Sequence, residues 1–184
     1  MFDLDQFIED CKRAVKDDPT HKAAHDVVAR AVGDPASVIK ALGEPTRAGA
    51  QALYHAPDLT ILNLAWGPNM MIYPHNHEMW AVIGMYGGRE DNMFWRRIDD
   101  GGQGRIEAAG AKSLSTGDCT PLGKDIIHSV TNPVRKLSGA IHVYGGDFFA
   151  VHRSEWDPEN LSEQTYDSAK SMALFEESNR LLGV

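Results

Sequence analysis

Apolar residues follow a helical period at the start of the chain and shift to short alternating runs afterwards. Leu4, Phe7, Ile8, Cys11, Ala14 and Val15 recur at helical spacing, which predicts a helix over residues 3–17, capped by Asp3 and ended by Asp17-Asp18-Pro19. Thr20 caps a second predicted helix reaching about Val32, where Gly33-Asp34-Pro35 stops it. A short third helix, about Ala36 to Leu42, closes before Gly43-Glu44-Pro45.

From about Ala48 to about Val151 the pattern becomes short β-rich runs separated by glycine turns. The predicted strands are 60–66, 70–73 leading into a histidine-bearing strand, 82–86, 92–98, 126–130 and the alternating run Ala140-Ile141-His142-Val143-Tyr144. Gly87-Gly88, Asp99-Asp100-Gly101-Gly102 and Gly117-Asp118 supply turns. Many short strands at this spacing predict a mainly β fold, a sandwich or barrel. From Asp157-Pro158 onward the pattern returns to helix, with Ser162 or Thr165 as cap, Ala169, Met172, Ala173, Phe175 and Leu182 on one side and Gly183 as its end. This helix is expected to pack on the barrel wall and to carry no chemistry of its own. The expectation is one domain over residues 1–184: a helical segment 1–45, a β-barrel 46–156 and a C-terminal helix 157–184.

Composition narrows the partners. A chain of 184 residues, 42% hydrophobic, is long enough to bury a sizeable core. A net charge of -8 argues against nucleic-acid and anionic-membrane partners, which need basic patches. No apolar run approaches the ~18 residues of a membrane helix. The opening Met-Phe-Asp-Leu-Asp is acidic where a signal peptide is basic, so a cytoplasmic location is expected. Two cysteines, Cys11 and Cys119, make no disulfide framework.

The candidate chemistry lies in Tyr73-Pro74-His75-Asn76-His77-Glu78. On a strand, residues two apart share a face, so His75 and His77 form a chelating pair of imidazoles that needs a further ligand from elsewhere. Glu78 on a regular strand points away, although a bulge would turn it inward as a further ligand. His21 and His25, one helical turn apart, read as a solvated face, and His55 and His152 have no matching spacing.

The spacings resemble the two motifs of the cupin superfamily, small jelly-roll (double-stranded β-helix) barrels that bind metal in their mouth. His75, His77 and Gly88 fit the first motif, with Ala81 at the position of its glutamate. Gly117, His128 and Asn132 fit the second, while Pro121-Leu122-Gly123 sits two residues early. Three histidines without a carboxylate resemble the thiol dioxygenase branch, the cysteine and 3-mercaptopropionate dioxygenase-like enzymes. Trp66-Gly67 and His142-Val143-Tyr144 match that branch too, and together the likeness covers roughly residues 46–150. Two departures stand out. Ala140 replaces the serine of the Ser-x-His-x-Tyr arrangement, and Ala81 stands at or beside the cross-linking cysteine of the animal enzyme, so no Cys-Tyr cofactor is implied.

The resemblance implies one mononuclear metal on His75, His77 and His128, with Fe(II) favoured and Zn, Ni, Mn or Cu as other ions imidazole accepts. It implies oxidation of a small thiol to a sulfinate with dioxygen as co-substrate, Tyr144 donating to substrate or dioxygen and His142 orienting it. The alternatives are another metal-dependent cupin enzyme, such as a carbon-carbon bond-cleaving dioxygenase or an isomerase, and a non-catalytic cupin that binds a small molecule or metal. Independently of family, three neutral imidazoles leave a divalent ion its full charge and so favour an anionic ligand such as a thiolate. Arg47 loosely matches the family arginine that grips a substrate carboxylate, but a solvated loop arginine is the expectation. Trp80, Met71, Met79 and Tyr73 are candidates for an apolar mouth.

Overall fold

The computed structural model describes residues 1–99, 101–102 and 104–184, so Asp100 of the predicted turn lies outside the described residues. Three helices open the chain: α1 (Leu4–Asp17), α2 (His21–Val32) and α3 (Pro35–Leu42). The Asp3 side chain accepts from Gln6 N, Thr20 from Lys22 N and Asp34 from Ser37 N, so each helix has an oxygen for an otherwise orphaned amide.

Eleven strands follow among the described residues. β1 (Gly49–Ala56), β2 (Leu59–Trp66), β4 (Ala81–Gly87), β7 (Cys119–Leu122) and β9 (Ser138–Tyr144) form one sheet in the order β1-β2-β9-β4-β7. β3 (Met71–Asn76), β5 (Arg89–Arg97), β6 (Ile106–Ser115), β8 (Ile127–Thr131), β10 (Ser154–Trp156) and β11 (Glu163–Thr165) form the other, in the order β11-β10-β3-β8-β5-β6. Without the flanking β1, β10 and β11, the two antiparallel sheets of β2-β9-β4-β7 and β3-β8-β5-β6 are the eight strands of a jelly roll, as expected.

The sheets face each other across a core of Leu62, Leu64, Trp66, Ile72, Ile83, Met85 and Val130. The outer face of the first sheet is buried as well: Ile61, Val82, Ile141 and Val143 lie under Val27, Val28 and Val32 of α2. Hence β9 is buried along its whole length rather than on alternate residues, with Ala140 and Tyr144 in the core between the sheets and Ile141 and Val143 under the helices. Gly84 lets α2 approach, because a Cβ there would stand 2.5 Å from Val28.

Three differences from the sequence expectation have physical causes. β6 was not predicted: of its residues only Ile106 and Leu114 are buried, so this strand at the end of the sheet shows no apolar alternation. β5 begins at Arg89, earlier than the predicted Asn92, since charged Arg89-Glu90-Asp91 hides a strand start. The tail is not helical from Asp157: a β10–β11 hairpin intervenes, and α4 (Ser168–Leu182) is capped by Asp167, neither by Ser162 nor by Thr165. No helix is long and apolar enough to cross a membrane.

Candidate metal centre

His75 and His128 stand directly opposite each other across β3 and β8. The pairing slips between Ile72 and His75, at Tyr73-Pro74, where proline has no N–H for the ladder. This bulge puts Ile72 and His75, three residues apart, both on the cavity between the sheets. His77 lies just past the end of β3, where Glu78 adopts a left-handed backbone (φ 54°). The pair therefore converges through a strand end and its turn rather than through regular alternation.

His77 Nε2 lies 3.2 Å from both His75 Nε2 and His128 Nε2. His77 Nε2 and either neighbour can share a point about 2.0–2.1 Å away, the usual metal–imidazole distance, and the donor atoms of all three lie within 4.8 Å of one another. All three rings are buried, and they are the one group among the described residues whose donors converge tightly enough for an ion. Burial lowers the pKa of His75 to about 4, helped by the Arg153 charge, and holds His77 and His128 well below the usual range. The rings are neutral at pH 7, as ligands must be. His75 Nδ1 donates to Tyr73 O at 2.9 Å and His128 Nδ1 to Asn92 Oδ1 at 2.7 Å, which frees their Nε2 lone pairs for an ion. The donor set fits a first-row metal.

The predicted partners fall into two groups. Tyr144 packs edge-on against His77 with ring centroids 5.1 Å apart, and its hydroxyl is 3.1 Å from His142 Nδ1, so this pair lies at the centre. Burial pushes the phenol pKa up, so the hydroxyl keeps its proton. Glu78 is exposed and accepts from Asn76 Nδ2 at 2.6 Å. Arg47 is an exposed residue paired with Glu176, as expected of a loop arginine. Asn132 serves the fold: its Nδ2 lies within 3.1 Å of the Trp66, Gly67 and Lys136 carbonyls.

Trp80, Met71, Met79 and Tyr73 do not line the cavity with the histidines. Trp80 packs on the helix side and donates to Pro19 O, and Met71 is exposed. A cavity of about 460 Å³ is walled instead by residues such as Leu62, Leu64, Trp66, Val130, Phe148 and Phe175. The C-terminal helix contributes to it, contrary to the expectation that it only packs outside: Phe175 stacks on Trp66 at 5.6 Å.

Three buried charged residues escaped the sequence reading: Glu155, which pairs with Lys170, and Arg153 and Glu90. Arg153 is 8% exposed, with its guanidinium carbon 3.9 Å from the ring centroids of both Phe148 and Tyr166. Its Nη1 is buried without a hydrogen-bond partner, and the side chain lines the histidine cavity. Glu90 is fully buried and accepts from Trp66 Nε1 at 2.7 Å and Asn92 Nδ2 at 2.9 Å, with His142 Nε2 at 3.2 Å. Burial pushes its carboxyl pKa up, but the His142 charge and these hydrogen bonds outweigh it, and the net direction is down. A weak signal existed for Glu90, which shares strand parity with Asn92 and Phe94; nothing local marks Arg153.

No family model matches the sequence. The backbone is similar to an RmlC-like cupin family protein with a double-stranded β-helix fold from Methanocaldococcus jannaschii, 8% identical over 57% of this chain and 85% of that one, with a TM-score of 0.46. It is similar to a Bacillus halodurans protein, 15% identical over 70% of this chain and 85% of that one, TM-score 0.49. A deletion mutant of Bacillus subtilis oxalate decarboxylase is 16% identical over 59% of this chain and 28% of its own, TM-score 0.44.

Proposed function

We propose that this chain is a mononuclear, metal-dependent oxygenase, with Fe(II) the favoured ion, that oxidises a small anionic thiol to a sulfinate. The observation that carries the reading is a converging group of three imidazoles in one cavity with a buried arginine whose Nη1 has no hydrogen-bond partner. Three neutral rings leave a divalent ion its whole charge, and Arg153 adds another positive charge in the same cavity. A buried cation with an unused N–H is costly until an anion meets it, so the substrate best suited has a thiolate at one end and a carboxylate at the other.

The ion, when bound, supplies a Lewis-acidic centre where thiolate and dioxygen meet. The chain's own residues do the rest. Arg153, held between Phe148 and Tyr166, orients the substrate carboxylate. The apolar wall around Trp66 and Phe175 excludes water, and the Tyr144 hydroxyl gives the reacting end a hydrogen-bond partner. The reaction balances without a further reductant: thiolate plus dioxygen gives sulfinate, both oxygen atoms ending on sulfur, which supplies the electrons.

The test is metal analysis of protein purified without added metal, then oxygen uptake after Fe(II) loading with a thiol panel. Carboxylated thiols should drive uptake, and Arg153→Gln should raise KM for them by about tenfold or more, the cost of one charge-assisted hydrogen bond. Tyr144→Phe should keep its metal and lose about ten- to a thousand-fold in turnover. Iron-loaded protein that consumes no oxygen with any thiol overturns the reading.

A further inference from the structure

We propose that Glu90 is a positioning residue that sets the ring tautomers of both His128 and His142, so that one buried carboxylate orients the hydrogen bonds at the metal ligand and at Tyr144. The role given to Tyr144 rests on the function proposed above; the tautomers do not.

An ionised carboxylate only accepts hydrogen bonds, so each of its three neighbours has to donate. Trp66 Nε1 can do nothing else. Asn92, on the same strand and face, turns its amide nitrogen to Glu90 Oε1 and therefore its oxygen to His128 Nδ1. That oxygen accepts, which places the His128 proton on Nδ1 and leaves the Nε2 lone pair facing His77. On the other side, His142 Nε2 holds the proton facing Glu90 Oε2, while Nδ1 lies 3.1 Å from the Tyr144 hydroxyl. Ala140 stands where the resembling enzymes have the serine of their triad, and the partner of His142 comes here from β5 of the opposite sheet.

Glu90→Gln exposes the arrangement, because an amide cannot accept on both sides. If its oxygen serves Trp66 and His142, its NH2 meets the Asn92 NH2. Asn92 then turns over, donates to His128 Nδ1 and forces the proton onto Nε2, where it blocks the metal. If its NH2 serves the other side, His142 has to accept at Nε2 and carries its proton on Nδ1. One ring changes tautomer in either case.

The experiment is 15N-histidine NMR of metal-free wild type and Glu90→Gln, with a Zn(II) titration of each. In wild type, His128 should be protonated on Nδ1 and His142 on Nε2. In the variant one of the two should switch; if it is His128, Zn(II) should bind about 10- to 100-fold more weakly, the usual cost of losing a residue behind a ligand. A Glu90 that merely stabilises the fold would lower the melting temperature and move neither tautomer, and that result overturns the proposal. So does wild-type protein with either proton on the other nitrogen, a measurement that stands even if the variant fails to fold. Neither readout involves thiol oxidation, so loss of the proposed activity and loss of this proposal are separate results.

Discussion

An imidazole binds a metal only through a nitrogen without a proton, and single neighbours decide which nitrogen that is. Tyr73 O and Asn92 Oδ1 accept from the Nδ1–H groups of His75 and His128, which leaves both Nε2 atoms free to face inward. Glu78, adjacent to His77 in sequence, is turned out by its left-handed backbone and engaged by Asn76. His75→Ala, His77→Ala and His128→Ala should therefore each abolish stoichiometric metal binding while the fold survives, because the core does not depend on the ion. Glu78→Gln should bind metal within about twofold of wild type, since its carboxylate is exposed, bonded to Asn76 and outside the converging donor group. Metal content by atomic spectrometry, with circular dichroism for the fold, checks both. A histidine variant with wild-type affinity removes that residue from the ligand set, and a large loss in Glu78→Gln adds a fourth ligand.

At the level of elements, the bulge in β3 and the seating of α4 shape the cavity. The bulge turns Ile72 and His75 to the same side, and α4 lays Phe175 on Trp66. Near its C-terminal end α4 is tied to the start of β1 by one side chain: Asn179 Oδ1 accepts from Ala48 N at 2.7 Å and its Nδ2 donates to Ala48 O at 3.0 Å, all buried. Asn179→Ala leaves both Ala48 groups without partners, a loss of about 2–4 kcal/mol. The expected outcome is faster hydrogen exchange along α4 with little change in the strands that hold the histidines. Uniformly faster exchange would show instead that α4 and the barrel unfold as one unit.

For the whole molecule, burying three imidazoles links stability to pH. The unfolded chain protonates these rings near pH 6.5, whereas the folded protein resists until about pH 4 at His75. Between those values the unfolded state holds more protons, so stability is fully present above about pH 6.5 and is lost as pH falls. His75 alone accounts for about 3 kcal/mol across that window. Denaturant unfolding of metal-free protein at pH 7.5, 6 and 5 should show a steady decline; a flat profile would mean the rings are already protonated or solvated in the native state.

Local pattern determined most of the architecture, because helix period, caps and alternating strands depend on neighbours within a few residues. The N-terminal helices, most strands and the paired imidazoles were legible for that reason, and His128 and the His142-Tyr144 pair came from motif spacing. Where local pattern misled, burial had been decided by residues far away in sequence. β6 reads as polar because few of its side chains meet the core. Glu90 and Arg153 went unread, since a carboxylate or guanidinium is normally solvated. Only the packing of one sheet on the other provides Glu90 with Trp66 and His142, and only the chain folding back beyond β9 sets Arg153 between Phe148 and Tyr166. The His75-His77 pair was local and readable; the charges that surround it are a property of the tertiary fold, because their partners meet only when the two sheets close.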